Sequence, residues 1–340
     1  MKRNMKEWSN FIVNSEKKFG FPIMTHPGID AIGKKVIDAV TDGKVQFNAI
    51  MALNKLYPSI ASASMMDLTV EAEAFGCKIN FSENSVPTVA SILANTKETI
   101  EKLSVPKVTA GRVPQYLNAV KLTAENIKEK PVFGGCIGPF SLAGRLYDMT
   151  EIMTALFTDT EVVEVLLEKC NSFIWEYIKE IKKSGANGVL IAEPAAGLLS
   201  PEMCQQFSTD YIKRIIDDIQ DESFAVILHN CGNSGHVTQQ MINSGAFSLH
   251  LGNAIDMVHA LKEIPSDVIV FGNLDPVNIF KNGTPEKVRT STLDLLHATK
   301  TFKNFVISSG CDVPPHTPLA NINAFYEAIA EFNLVLNGIC

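Results

Sequence analysis

The sequence predicts an α/β fold, a closed (β/α)8 barrel with an N-terminal helical extension, and three observations carry that reading. From residue 131 onward, apolar runs at 131–136, 188–191, 224–228, 246–251, 268–271 and 305–307 alternate with helical patterns at 159–183, 201–220, 236–243, 285–298 and 319–336. Strand followed by helix, repeated, implies parallel strands joined by crossovers. The runs are continuously apolar, as strands covered on both faces are. Finally, there is no G-x-G-x-x-G fingerprint of an open dinucleotide-binding sheet, and six clear strands with further candidates upstream suit an eight-stranded barrel.

Taken in order, residues 1–56 mix helical periodicity with a turn at Thr25-His26-Pro27-Gly28 and read as an N-terminal elaboration. Ile29, Ile32, Val36, Ile37 and Val40 share helical spacing and predict one helix over 29–40. His26, in the turn, could reach a pocket, but a loop histidine with no partner in sequence is expected more often at the surface. Residues 59–66 are a small-residue strand candidate leading into a helix that starts near Asp67, a residue suited either to capping it or to acting as a pocket acid. Lys78-Ile79-Asn80-Phe81 alternates like a strand, and 105–122 reads as a loop and helix. No fixed-period repeat or low-complexity stretch divides the chain, so 1–340 is expected to form one barrel domain.

Composition narrows the function. Hydrophobic residues make up 46% and charged residues 20%, ordinary values for a globular protein. A formal net charge of −7 with no basic stripe argues against a nucleic-acid partner. The charged start, Met1 to Trp8, precedes no apolar core long enough for a signal peptide or membrane span, so a cytoplasmic location is expected. Seven cysteines, an odd and scattered set, then read as free thiols or metal ligands rather than disulfides. Cys77, Cys136, Cys170 and Cys204 read as small buried hydrophobes.

A barrel places its chemistry at the C-terminal ends of its strands. Polar residues follow each of the six runs: Gly138-Pro139, Glu193-Pro194, His229-Asn230-Cys231, His250, Asn273-Leu274-Asp275 and Cys311-Asp312. In extended chain, residues two apart face the same way, so His229 and Cys231 can be aimed at one point. Cys311, on another strand of the same rim, completes three soft ligands. One imidazole and two thiolates suit Zn2+ with an open fourth position, whereas Mg2+ or Ca2+ would call for oxygen and an iron–sulfur cluster for four cysteines. Two thiolates neutralise the ion, which makes it a weak Lewis acid but a good holder of a third thiol as its thiolate; the chemistry that needs this is alkyl transfer to sulfur.

Glu193 is the candidate catalytic carboxylate, able to orient His229, to occupy the fourth zinc position when substrate is absent, or to take up the thiol proton, with a rim salt bridge as the structural alternative. Asp67, Asp275 and His250 are the candidate cofactor-binding residues. Asp275, beside Pro276, equally suits a turn, and His250 equally suits the core. His316 is expected in a loop.

Four segments carry a resemblance to a known family: Asp67-Leu68-Thr69-Val70-Glu71-Ala72-Glu73-Ala74-Phe75-Gly76, Gly138-Pro139-Phe140-Ser141-Leu142-Ala143-Gly144, Gly272-Asn273-Leu274-Asp275-Pro276 and Gly310-Cys311-Asp312-Val313-Pro314-Pro315. From about residue 65 to 330 the chain resembles the uroporphyrinogen decarboxylase superfamily, and His229, Cys231 and Cys311 match the zinc motif of its methylcobamide:coenzyme M methyltransferase branch. The resemblance implies a (β/α)8 barrel that docks a corrinoid protein and moves methyl from methyl-Co(III) to a small thiol, releasing Co(I). True decarboxylases carry an R-Q-A-G-R motif for a carboxylate-rich tetrapyrrole. Here the only arginines are Arg3, Arg112, Arg145, Arg214 and Arg289, and that motif is missing. The expected cofactors and partners are therefore zinc, a methylcorrinoid carried by a partner protein, and a thiol such as coenzyme M. A tetrapyrrole decarboxylase using Asp67 and a corrinoid- or tetrapyrrole-binding module without turnover are the alternatives. A sulfonate on the thiol could use Arg112, Arg145 or backbone amides, and the sequence does not choose among them.

Overall fold

A computed structural model describes residues 3–336; Cys340 lies outside the described residues. Seven parallel strands form one curled sheet: β1 (Ser62–Ala63), then β4 (Val132–Ile137), β5 (Gly188–Ala192), β6 (Ala225–Asn230), β7 (Ser248–Leu251), β8 (Ile269–Leu274) and β9 (Phe305–Ser309), each beside the next. Residues 19–21 close the gap between β9 and β1. The Phe21 amide donates to the Ile307 carbonyl at 2.9 Å, the Ile307 amide to Phe19 at 3.1 Å, and the Ile60 amide to Gly20 at 3.1 Å. The barrel therefore closes through an eighth, irregular segment drawn from the stretch expected to be a helical elaboration. Two further strands, β2 (Ile79–Asn80) and β3 (Thr88–Val89), pair antiparallel in a separate ribbon outside the barrel.

Strand parity sorts side chains between two cores. Phe133, Leu190, Ala192, Ala225, Ile227, Ile269, Phe271 and Val306 fill the barrel interior, while the intervening residues, such as Val189, Val226, Val270 and Ile307, face the surrounding helices. The N-terminal helix Met5–Asn14 is a plug. Its Met5, Trp8 and Ile12 join the interior cluster, with Trp8 5.9 Å from the Phe133 ring and 6.5 Å from Phe271. Burying each such side chain contributes roughly 1.5–3 kcal/mol, so this helix seals the end of the barrel opposite the strand C-termini.

Several expected boundaries move. The helix expected over 29–40 is two, His26–Ala31 and Val36–Thr41, parted at Gly33, whose φ of 65° lies in the left-handed region. The helix expected over 201–220 contains a π-helical turn at Gln205–Thr209 between Pro201–Cys204 and Asp210–Ile219. The first strand shrinks to Ser62–Ala63, and Lys78–Phe81 contributes to the outer ribbon rather than the barrel. By contrast, the helices Pro285–Ala298 and Leu319–Leu336 fall where their periodicity puts them. Among the described residues, Cys77, Cys136, Cys170 and Cys204 are buried free thiols, and no helix is long and apolar enough to cross a membrane.

Candidate metal centre

Along β6 the inward parity runs Ala225, Ile227, His229. His229 thus sits inside the strand, one position beyond its last apolar inward residue, and Cys231 lies just past the strand end on the same side. Register then matters: His229 lies level with Ala192 on β5 and His250 on β7, so it stands in the uppermost layer of the barrel filling. Cys311 follows β9 across the mouth. The ligand atoms of His229, Cys231 and Cys311 all lie within 4.8 Å of one another.

The donor set fits zinc. His229 Nδ1 is 3.2 Å from the His250 carbonyl, which can only accept, so that nitrogen carries the proton. The lone pair is left on Nε2, which is buried and has no hydrogen-bond partner among the described residues. A buried acceptor aimed at two cysteines is costly unless something fills the position. A backbone carbonyl fixing the tautomer of a histidine ligand is the usual arrangement at metal sites. Gly252 makes room for it: a Cβ there would lie 2.5 Å from the Cys231 carbonyl oxygen.

The thiols themselves are poised. A hydrogen bond from Cys311 draws Cys231 well below the ordinary thiol range against the effect of burial, while the same bond and burial push Cys311 upward. With the two thiols this close, a divalent ion bound here would take both as thiolates and release their protons.

Glu193 follows β5 and is buried at the start of the helix Pro139–Tyr147. Its Oε1 accepts from the Ser141 amide at 2.6 Å and its Oε2 from Phe140 at 3.1 Å. Gly138 is required beside it, because a Cβ there would collide with the carboxylate. Burial pushes the Glu193 carboxyl up to about 7 against the pull of the Ser141 and Phe140 donors. Its backbone carbonyl accepts from Asn230 Nδ2 at 2.8 Å, and Asn230 Oδ1 accepts from Gly232 N at 2.9 Å. Asn230 therefore ties the Glu193 loop to the loop carrying Cys231. No ion pair involves Glu193 among the described residues.

Asp67 sits in a different setting. One carboxylate oxygen accepts from the Thr69 amide and hydroxyl at 3.0 and 2.6 Å; the other takes the Arg112 guanidinium and the Tyr116 hydroxyl, the latter at 3.1 Å. Arg112 also donates to Glu73 at 2.6 Å and to the Val40 carbonyl at 3.2 Å. The helix expected to start near Asp67 begins at Val70, with Asp67 making an Asx turn to Thr69 instead of capping it. Asp275 accepts from the Val277 and Asn278 amides, both at 2.8 Å, and shapes the turn before Pro276–Lys281. His250 is wholly buried: Nε2 is 2.9 Å from Ser308 Oγ, whose own proton goes to the Phe21 carbonyl, and its ring meets His229 edge-on at 4.6 Å.

For His26 the less expected reading holds. His26, expected at the surface, is 3% exposed, with Nδ1 3.2 Å from Asp312, the neighbour of Cys311. Burial disfavours its charge, but Asp312 outweighs that and raises its pKa. His316 lies in its loop, 3.2 Å from Asp30. Glu71 was also missed: its Oε1 accepts from the Ile137 amide at 3.0 Å, its Oε2 is buried with no partner among the described residues, and burial lifts its carboxyl to about 7. The only sign in the sequence is its place between Val70 and Ala72 on a mostly apolar turn.

Near these groups lies a cavity of about 630 Å3, lined by Ile92, Ser141, Arg145, Met149, Ala195 and Leu198 among others. Its Pro194–Leu198 wall follows β5 directly and leans on the β6 strand end, the Cβ position of Gly197 lying 3.1 Å from Asn230 Oδ1.

With this geometry in view, a family model described as uroporphyrinogen decarboxylase (URO-D) matches residues 24–332. The chain belongs to that family. It is 32% identical over 270 residues, 78% of each chain, to the methylcobamide:CoM methyltransferase MtbA of Methanosarcina acetivorans. It is 26% identical to a methylated-thiol–coenzyme M methyltransferase of Methanosarcina mazei, covering 85% of this chain and 77% of that one. A uroporphyrinogen decarboxylase of Coxiella burnetii is 25% identical over 82% of this chain and 79% of its own. In three dimensions the fold is shared with a methyltransferase from Methanosarcina mazei, at a TM-score of 0.86 and 23% identity over 98% of this chain and 99% of that one. This kinship makes the chain an enzyme of the methyltransferase kind.

Proposed function

We propose that the enzyme moves a methyl group from a methylated corrinoid, carried by a partner protein, to a small thiol such as coenzyme M, with zinc held by His229, Cys231 and Cys311. The observation that carries this reading is the convergence of those three ligand atoms within 4.8 Å, with His229 Nε2 buried and without a hydrogen-bond partner among the described residues. The names of the methylcobamide:CoM and methylated-thiol–coenzyme M methyltransferases among its relatives support the same donor and acceptor. Zinc bound there would supply a thiol held as thiolate at neutral pH, where a free thiol of pKa about 8.5 is mostly protonated.

The chain's own residues do the rest. The His250 carbonyl holds the His229 ring in one tautomer. Asn230 clamps the β5 and β6 loops so that Cys231 keeps its direction. Glu193, with its pKa raised to about 7, is suited to hold a proton near neutrality, and we assign it the uptake of the thiol proton. In the transfer the S–CH3 bond forms as the Co–CH3 bond breaks, the bonding pair staying on cobalt, so Co(III) becomes Co(I). A decarboxylase reading would need arginines to receive several carboxylates, and Arg112 is already committed to Asp67 and Glu73.

Zinc analysis of the purified full-length protein tests this. We expect about one zinc per chain, lost in the Cys231→Ser, Cys311→Ser double variant, together with demethylation of methylcobalamin by a thiol, read from the spectral change of methyl-Co(III). Zinc retained by the double variant, or no demethylation with any thiol, would overturn the proposal.

A further inference from the structure

Five arginines lie within the described residues, and four of them have partners. Arg3 donates to the Lys128 carbonyl, Arg112 to Asp67 and Glu73, Arg214 to Glu168, and Arg289 to Glu331. Arg145 has none: no hydrogen bond or ion pair satisfies it among the described residues. Yet it is half-buried, on the helix Pro139–Tyr147, and it lines the 630 Å3 cavity. A guanidinium cannot escape by losing its proton, and burial already works against its charge, offset only in part by the fields of Glu71 and Asp67.

The carboxylates in range do not answer it. Asp67 is bound to Arg112. Glu71 is buried, with its pKa lifted to about 7, and stands outside ion-pair distance. Asp148, on the same cavity wall, spends one oxygen on the Thr150 and Glu151 amides. Arg145 therefore lines a cavity whose other walls, Ile92, Met149, Ala195 and Leu198 among them, are mainly apolar, with Ser91, Ser141 and Asp148 as the polar residues. Such a site suits an oxyanion on a short alkyl chain, received through charge-assisted, bidentate hydrogen bonds. Helical spacing adds direction, since Arg145 lies one turn beyond Ser141, whose hydroxyl accepts from the Ala195 amide on the loop that Asn230 joins to Cys231.

Building on the methyl-transfer reading, we infer that Arg145 is the specificity-determining residue that receives the acidic end, sulfonate or carboxylate, of the thiol acceptor. An oxyanion on the corrinoid has the same chemistry, and kinetics separates the two. With zinc-loaded full-length enzyme and methylcobalamin as donor, we compare 2-mercaptoethanesulfonate and 3-mercaptopropanoate with uncharged 2-mercaptoethanol. In Arg145→Gln the KM for both acidic thiols should rise by about tenfold to a hundredfold, the range expected for a lost charge-assisted hydrogen bond. Their kcat should change little, 2-mercaptoethanol should be unaffected, and Arg145→Lys should restore part of the loss. An unchanged KM for the acidic thiols, or an equal rise for the neutral one, would overturn the inference. So would a rise confined to the KM for methylcobalamin, which would give Arg145 to the corrinoid. If the wild-type enzyme demethylates with no thiol, the methyl-transfer reading fails on its own. Arg145 is then judged by calorimetric binding of ethanesulfonate, which needs neither a thiol nor zinc: binding lost in Arg145→Gln would support the anion site, and equal binding would refute it.

Discussion

Two groups of buried polar side chains near the mouth of this barrel are built on opposite principles. Around Asp67, both carboxylate oxygens, the Arg112 guanidinium, Thr69 and Tyr116 answer one another, with Glu73 and the Val40 carbonyl taking the remaining donors. Around His229, the reverse holds. Among the described residues Nε2 has no hydrogen-bond partner, and two cysteine thiols lie beside it. A closed network returns its desolvation cost within the folded chain. An open one returns it only when something binds. The difference separates scaffold from site more sharply than residue type does, because aspartate and arginine are as familiar in active sites as histidine and cysteine.

The largest effect expected from this contrast is on stability. Arg112→Met leaves Asp67 buried without its cation and should destabilise the protein by about 3–5 kcal/mol, the usual cost of removing one partner of a buried pair. In zinc-free protein the Cys231→Ser, Cys311→Ser variant should cost less than about 1 kcal/mol, since isosteric changes at an unsatisfied site remove little. Denaturant midpoints for both, measured with chelator present, decide the matter. If the cysteine variant proves the more damaging, the division into scaffold and site collapses.

How much of this was legible in the sequence follows from what each signal depends on. The six buried strands announce themselves by length and composition, and a strand end followed by H-x-C needs only period-two geometry to place His229 and Cys231 on one side. The closing segment at residues 19–21 gives no such signal: it is short, runs into Pro22, which lacks an amide to donate, and reaches the sheet through few bonds. The apolar positions of 29–40 fix a helical face but not its continuity, so two short helices parted at Gly33 leave the same trace as one. His26 pairs with Asp312 from the far end of the chain, and nothing local marks either. Arg112 and Arg145 look alike in sequence; only tertiary contacts spend one and leave the other without a partner among the described residues. For the same reason the fold is far more readable than the roles of Asp67, Asp275 and Glu193.

Glu71 sharpens the contrast from the middle ground, as a scaffold residue left partly open. Burial lifts its carboxyl from 4.5 to about 7, opposed by the Ile137 amide and by the charge of Arg145. Between those values the folded chain holds a proton that the unfolded chain releases, so the Glu71 contribution to stability is full below pH 4.5 and is lost as pH rises through 7. The size is on the order of 3 kcal/mol. Glu71→Gln keeps the shape and cannot ionise. Its advantage over the wild type should therefore grow between pH 5 and pH 8, and parallel stability curves would show that Glu71 is already ionised in the folded protein.

The smallest expected effect concerns the residue just behind the metal ligands. Ser308 accepts from His250 Nε2 and donates to the Phe21 carbonyl, on the segment that closes the barrel. Ser308→Ala strands both, which should cost about 1–3 kcal/mol. Zinc retention should nonetheless stay near the wild-type level, because the hydrogen bond that fixes His229 is to the backbone carbonyl of His250, while the His250 ring only packs against it. Zinc lost along with stability would mean that the His250 ring position sets the direction of the ligand, and that scaffold and site share a side chain at this one point. Stability lost with zinc retained would place their boundary between the ring of His250 and its carbonyl.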